Sequence, residues 1–576
     1  MRKPGPIPHN KQCRTPKRFV ALSCESKAEV RGTGFVRTFK SATAIFASRN
    51  DAGIWSAPLK LVFDDPETLW EEITDFTRVR ARTWLCGWKL GDELRIAQAF
   101  KYLRAWTVNP DVIISDTTLS VGWHDDAKRS LLTVDLLSYL PADLSKLRSL
   151  TATFSDADAI YRAFLDLVCL QHDFDLGNFS RTGASNASNM FRHTSMQERI
   201  HIHDDNAALA AEQSSVFTGR TEAWRHGTFR HLDEWDLPLA YARVGLDTAL
   251  PVRLLGLRTG GGSGRRATSF LGFAHVRSEV PVLPYRAGGC LGQPEGASSA
   301  ITWPVGDFAG WYWGEELELA AAHGATYEIE RAYEYATAPV LRDWAKWIIV
   351  SQTADDLTGV QQLAAKHWAR ALIGKMGSRV PQWTSDATFE GTELELSKEV
   401  DDRYGIGERL TIGGRSLVSF KKAYGDNAFP ALMSRVVSEC RMRLWQLMCV
   451  AGLDHVAYVD TDSLFTTREG SARLGAYMES GAGWGVRVKH HHYKVTIHGP
   501  RQLIERDGPR VSGLPKAAVR SRESERYMAQ MTEGFKQGAG SGHAREVVST
   551  ERTFKLKPSD KRRLHNDDGT TEARSA

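Results

Sequence analysis

Two carboxylates spaced two residues apart, Asp460 and Asp462, stand in Tyr458-Val-Asp-Thr-Asp462-Ser463, flanked by β-branched and aromatic residues. In an extended chain residues i and i+2 face the same way, so the two acids project together unless the turn rotates one of them. Carboxylates held that close repel, and a bound cation relieves the repulsion. Mg²⁺ suits oxygen ligands and completes its shell with water and phosphate oxygens. Two such ions about 4 Å apart can activate a hydroxyl nucleophile and stabilise a leaving pyrophosphate. That chemistry needs a further carboxylate from elsewhere in the fold. Taken alone, the segment fits a hydrogen-bonded turn equally well. It does not fit an EF-hand loop, whose glycine and terminal Glu are missing.

The further acid is Asp236, in Trp235-Asp-Leu-Pro-Leu-Ala-Tyr241-Ala242, where a strand-like stretch from Phe229 to Trp235 leads into a helix-like one. Tyr241 lies close enough to wall the same pocket, and a ring beneath a nucleotide sugar would exclude a 2′-hydroxyl. On its own, Asp-x4-Tyr reads as core packing. Between the acids, Lys366, Arg370 and Ile373 share one helix face. That stripe offers two cations for a triphosphate and an apolar residue for a base or sugar. A solvated basic face is the plainer reading of such a stripe, and only its place between the acids argues for more.

These side chains need elements to hold them. A helix is predicted from Phe429 to Ala451, with Pro430 in its first turn and Gly452 as its stop. It feeds into a predicted β-hairpin whose tip carries Asp460 and Asp462. Strands are predicted at Arg18–Leu22 and Ala42–Phe46, and helices at Leu94–Trp106 and Ala157–Leu170. The chain has 576 residues, enough for two to four domains. A mean hydropathy of −0.35 and the lack of an apolar run of about eighteen residues argue against a membrane span. The basic N-terminus has no apolar core and does not read as a secretory signal. Seven scattered cysteines without a CxxC point to a reducing compartment, not to a zinc or disulfide framework. The setting implied is the cytoplasm of a bacterial or virus-infected cell, with an organelle as the alternative. Net charge is +5 and the pI about 8.7, compatible with a polyanionic partner and equally with an ordinary basic protein.

With these motifs in order, the chain resembles the family B DNA polymerases. Residues 458–463 match the family's YxDTDS in every fixed position. Lys366-x3-Arg370-Ala-x-Ile373-Gly374 is similar to Kx3NSxYG, with Arg370, Ala371 and Ile373 replacing its Asn, Ser and Tyr. Asp236-x2-Leu-Ala-Tyr241-Ala242 is similar to DxxSLYP, keeping the acid and the Tyr. Asp233 competes for the acid position but leaves no Tyr in register. Gly219-Arg220 resembles part of a YxGG-type connector, implying DNA contact there, with Val216 in place of its Tyr. Gly499-Pro-Arg501-Gln-Leu503 resembles the KxY primer-binding motif, with Arg501 for the Lys and Leu503 for the Tyr.

The resemblance implies an α/β chain with a ribonuclease H-like exonuclease-type domain (18–206) after a basic tail (1–17). A right-hand polymerase follows, with palm and fingers over 207–510, a thumb over 511–556 and a disordered tail over 557–576. It implies catalysis by Asp236, Asp460 and Asp462 holding two Mg²⁺ ions, for which Mn²⁺ can substitute. Tyr241, Lys366, Arg370 and Ile373 would bind the nucleotide, and Gly219, Arg220 and Arg501 the DNA. Template, primer and dNTPs are the partners, and the chain is expected to be monomeric. The intervals from Asp236 to Lys366 and from Lys366 to Asp460 each leave room for an extra segment. Such segments mark the protein-primed subgroup of phages, linear plasmids and organelles, and imply a terminal protein and strand displacement. Pro304-Val-Gly-Asp-Phe308 with Glu315-Glu-Leu317 also resembles that subgroup.

The first domain departs most from the family. Ser23-Cys-Glu25 resembles the exonuclease DxE motif with its Asp lost. Gly87-Trp-Lys-Leu-Gly-Asp92 keeps only the acid of the second motif, with Glu93 as the alternative. Phe154-x3-Asp158 resembles the third, where Asp156 competes. A Ser carries no charge for metal, and Lys89 adds a competing cation, so proofreading is expected to be weak or absent. Two histidine clusters carry plainer readings: His201-x-His203 as polar connector, and His490-His-His492 as solvent- or phosphate-facing.

Overall fold

The computed structural model describes residues 3–31, 34–109, 112–114, 119–259, 269–286, 301–388, 394–401, 405–420, 422–481, 484–505 and 508–511. It also describes 514, 518–520, 526–532, 547–555, 563–565 and 571–573. The N-terminal sheet is built on the long strand Arg18–Arg31, antiparallel to Gly34–Ser48 and parallel to Arg82–Gly87, which in turn runs parallel to Ser130–Asp135. Alternation sends Phe19 and Ala21 to one face, against Ile160 and Phe164 of the helix Asp156–Asp173. Val20 and Leu22 go to the other face, against Leu90 and Leu94. The helix expected over Leu94–Trp106 is broken into Leu90–Ile96 and Ala99–Tyr102, because Gln98 adopts a left-handed conformation (φ 53°) between them.

Two further expectations change. The connector before residue 207 is structured. Thr182 caps a helix Gly183–Met190, one wide turn spans Phe191–Ser195, and His201–Ile202 joins a sheet. Within the stretch expected as a thumb (511–556), Val547–Lys555 pairs with Arg526–Thr532 and with Gly34–Arg37 of the N-terminal sheet. Within the tail expected to be disordered, Arg563–His565 pairs with Thr571–Ala573, and its other residues lie outside the described ones.

A seven-stranded antiparallel sheet forms the middle of the second region. Its order is Thr221–Ala223, Val456–Asp460, Ser463–Thr466, Gly227–Asp236, Arg487–Gly499, Gln502–Glu505, Gly508–Val511. The predicted long helix lies over Pro430–Ala451 with Pro at its start and Gly452 (φ 86°) at its end. Its apolar face buries Leu432, Val436, Leu444 and Met448. Three of its arginines are also buried, each with an acid: Arg435 with Glu439 (2.9 Å), Arg441 with Glu316 (2.6 Å) and Arg443 with Asp247 (2.5 Å). A buried charge is tolerated only when paired; Arg435 also reaches Glu315 (3.1 Å), so with Glu316 and Asp247 these contacts fix the helix against neighbouring elements.

Both long intervals hold antiparallel sheets of their own. Leu250–Thr259, Ser269–Ser278, Gly306–Trp313 and Thr326–Ala338 form most of one. Strands between Thr384 and Ser419 form the other, whose Leu410, Ile412 and Leu417 join the core of the N-terminal domain. Among the described residues no helix is long and apolar enough to cross a membrane.

Candidate active site

The sheet register brings the acids to one end of the central sheet. Asp460 pairs with Ser463 across the hairpin, and Ser463 pairs with Asp236 on the next strand. The Leu237 N–H donates to the Asp462 carbonyl (2.8 Å), so the strand carrying Asp236 is fastened to the hairpin tip. At that tip Thr461 is left-handed (φ 62°), an unfavourable conformation for a β-branched residue. Its N–H donates to the Arg220 carbonyl (2.6 Å), while the Asp462 N–H turns back onto the Asp460 carbonyl (2.7 Å). Gly219 passes directly over this turn: a Cβ there would lie 2.6 Å from Thr461 Cγ2. The turn thus needs Gly219 and the Arg220 carbonyl to keep its shape.

Asp236, Asp460 and Asp462 line one cavity of ≈ 360 Å³, together with Tyr241, Lys366, Arg370, Lys489 and Arg510. Lys366 and Arg370 sit one helical turn apart on the helix Gly359–Met376, which Thr358 caps, and both side chains are exposed. Tyr241 is half-buried near the start of the helix Ala240–Asp247. Burial, with Cys440 and Asp462 adding to it, pushes its phenol up to about 12. Asp460 Oδ1 accepts from Thr221 Oγ1 (2.9 Å) and lies 3.7 Å from Arg501 Nε. Arg501 is itself placed by its N–H, which donates to the Tyr458 hydroxyl (2.8 Å).

Electrostatics single out Asp462. Burial first, then the neighbouring Asp236, raise its carboxyl to about 6, with Lys489 and Arg370 opposing. A site that penalises its own negative charge is one where a cation is favourable. Among the described residues no three acid, His or Cys side chains converge tightly enough to enclose a metal ion by themselves. In phosphoryl-transfer sites Mg²⁺ is held by one or two carboxylates, with water and substrate phosphates completing the shell. The acids present are all-oxygen donors, as that ion requires.

Three of the sequence-predicted residues lie elsewhere. Ile373 is fully buried in the core, and the exposed face of Lys366 and Arg370 continues to Gly374 instead. At about 100° per residue the exposed positions Lys366, Arg370 and Gly374 spread over about 80° of the helix, and Ile373, about 60° from Arg370 on the far side of Lys366, falls at the edge that the core covers. Arg220 is buried, bonded to Glu222 (2.8 Å) and stacked among Trp224, Trp303 and Trp445 at 4.9–5.4 Å. It therefore supports the hairpin from behind. Gly219 likewise serves the turn.

Of two further cavity cations, Arg510 belongs to no motif, and Lys489 enters the sequence reading only beside the His490–His492 cluster, as solvent- or phosphate-facing. Lys489 and Arg510 reach the cavity because both are bound to Glu234, which is completely buried on the strand that ends at Asp236. His492, read as solvent- or phosphate-facing, instead bonds Glu234 (3.0 Å) and stacks on Phe465. Burial alone would raise Glu234, but His492, Arg510 and Lys489 outweigh it and hold its carboxyl down at about 2. The basic run Lys489–His492 on the strand paired with that of Glu234 was the available signal. His203 bonds Glu212 (2.9 Å), as befits a connector residue.

In the N-terminal domain each remnant acid is held by its own cation. Glu25 pairs with Lys40 (2.7 Å), Asp92 with Arg95 (2.5 Å) and Asp158 with Lys60 (2.7 Å). The alternatives are also engaged: Asp156 pairs with Arg148, and the Glu93 carboxylate accepts from the Cys24 N–H (2.6 Å).

No protein-family model matches the chain, and no curated protein matches it. The fold does match solved structures. Phi29 DNA polymerase in complex with primer–template DNA and incoming nucleotides superposes with a TM-score of 0.64 at 12% identity, over 94% of this chain and 100% of that one. The same polymerase with single-stranded DNA gives 0.63 at 13% identity over the same shares. At that identity the likeness is one of fold: that of Phi29 DNA polymerase, with exonuclease, palm, fingers and thumb parts.

Proposed function

We propose that this chain, which has the fold of Phi29 DNA polymerase, is a template-directed DNA polymerase that adds deoxynucleotides to a primer 3′-hydroxyl. The observation that carries the reading is one cavity lined at once by Asp236, Asp460 and Asp462, by Lys366 and Arg370, and by Tyr241. Asp236 and Asp462, with Asp460 assisting, would hold two Mg²⁺ ions, or Mn²⁺ in their place. Bound there, such ions activate the attacking oxygen and neutralise the leaving pyrophosphate.

The protein's own residues divide the rest. Lys366 and Arg370 stand on the helix facing the acids and grip the triphosphate, Lys as a point charge and Arg as a planar fork. The Tyr241 ring, braced by burial, lies where it can exclude a 2′-hydroxyl. Arg501, beside Asp460 and open to the neighbouring cavity, faces the primer strand. The two inserted sheets support the protein-primed variant of this reaction, with a terminal protein as first primer and strand displacement during extension. Proofreading is weak or absent in this reading, since Ser23 replaces an acid and Lys40, Arg95 and Lys60 occupy the others.

Primer extension with labelled dNTPs and Mg²⁺ tests it: the purified chain lengthens a recessed primer according to the template. DNA binding without incorporation would replace the reading with that of a retired, DNA-binding relative. Degradation of a single strand, lost on Glu25→Ala, would overturn the nuclease part.

A further inference from the structure

Glu234 carries more positive charge than a buried carboxylate needs. One cation would neutralise it, yet Lys489 Nζ (3.1 Å), His492 Nε2 (3.0 Å) and Arg510 Nη1 (3.1 and 3.3 Å) all converge on its two oxygens. A structural ion pair is best buried whole. Here the acid is fully buried while about two-fifths of the Lys489 and Arg510 side chains stays exposed, on the wall of the catalytic cavity.

The two cations also occupy a particular place. Lys489 is shared between Glu234 and Asp236, whose Oδ1 lies 3.5 Å away. Arg510 lines both the catalytic cavity and the adjoining one of ≈ 750 Å³ that Tyr458, Arg501 and Leu503 border; only Asp460 shares that position among the described lining residues. Its polar contacts, to Glu234 and to Glu505 (3.6 Å), run through Nη1. Nε and Nη2 point to no partner among those contacts, and two adjacent guanidinium nitrogens are the donor pair that suits a phosphate.

A primer strand that runs from the second cavity to the acids must cross Arg510, and the charged group at the crossing is its last phosphodiester. Resting on the polymerase reading above, we propose that Arg510, with Lys489 beside it, binds the 3′-terminal phosphodiester of the primer. Glu234 is the positioning residue that holds both cations at the junction. The pair would fix the 3′-hydroxyl against Asp236 and Asp462.

The test is a double-substitution cycle in the full-length protein. One element is a primer whose last linkage is a neutral methylphosphonate; the control carries it several linkages upstream. Binding to primer–template is measured by fluorescence anisotropy with Ca²⁺ present and dNTP absent, alongside single-turnover extension. In the wild type the terminal methylphosphonate weakens binding about tenfold, the worth of one charge-assisted hydrogen bond. Arg510→Ala binds the natural primer about tenfold more weakly and then ignores the terminal methylphosphonate. Glu234→Gln keeps the side chain's size and one acceptor oxygen but removes the charge that gathers the cations, and shows a reduced terminal effect, with the upstream control unchanged. Equal losses from the terminal methylphosphonate in wild type and Arg510→Ala would overturn the proposal while extension by the wild type left the polymerase reading intact. A wild type that extends no primer would remove both.

Discussion

Asp135 gives the account a prediction whose sign and size follow from burial. It is fully buried at the end of the strand Ser130–Asp135, with Oδ1 accepting from the Leu137 N–H (3.0 Å) and the backbone N–H groups of Lys89 and Leu90 close to the carboxyl. Burial, with Asp92 adding repulsion, lifts its carboxyl to about 7. In the unfolded chain an Asp titrates near 3.9. Between those two values the native state keeps a proton that the unfolded state has released. Stability is therefore greatest below the unfolded value and falls as pH rises through the folded one. From about pH 5 to about pH 8 the loss from this one group is on the order of 3 kcal/mol. Asp135→Asn keeps the acceptor for Leu137 and removes the titration. Urea unfolding of the full chain, followed by tryptophan fluorescence, should show the variant gaining on the wild type as pH rises across that window. Partly buried Glu93, lifted to about 8 mainly by burial, leaves a residual slope in both proteins. Parallel stability curves, or a variant that falls behind at high pH, would refute the argument that burial governs this carboxyl.

Other outcomes follow from the site. Gly219→Ala should slow incorporation at least tenfold while primer–template binding persists, because the new Cβ meets Thr461 at 2.6 Å and must shift the acidic turn; single-turnover extension and anisotropy separate the two. Arg370→Ala should raise the dNTP KM about tenfold with little change in folding stability, whereas Ile373→Ala should cost about 2–5 kcal/mol in urea unfolding and leave KM nearly unchanged in the folded protein. Tyr241→Val should raise ribonucleotide incorporation relative to deoxynucleotide, measured as a ratio of kcat/KM values; an unchanged ratio would detach Tyr241 from sugar selection.

The acids and their supports were legible because local pattern and distant order agreed. A helix with Pro430 at its start and Gly452 at its end, leading to an acidic turn, is specified by short-range signals, and the structure follows it to within a residue. Asp236 was legible only as part of a series, since nothing local distinguishes it from core packing. What failed was phase and depth. Ile373 lies about 20° round the helix from Lys366, at the edge of the exposed face, where angular position alone does not say whether a side chain meets the cavity or the core. Arg220 reads as a surface cation by type, and only the tryptophans of three separate segments make it a buried brace. The Glu234 cluster was hidden for a similar reason. Its members come from three strands whose pairing is a property of the sheet and not of any window of sequence. The pairing of Val547–Lys555 with Gly34–Arg37 likewise joins the two ends of the chain, which no local pattern announces.

The most direct test of the central claim is Asp462→Asn in paired assays of primer–template binding and nucleotide incorporation. Asp462 lies at the cavity among Asp236, Asp460 and the cations, but the charges that hold DNA phosphates are other residues. The account predicts that incorporation falls by at least about a thousandfold while binding changes less than about threefold. Incorporation that survives the substitution at near the wild-type rate would contradict it.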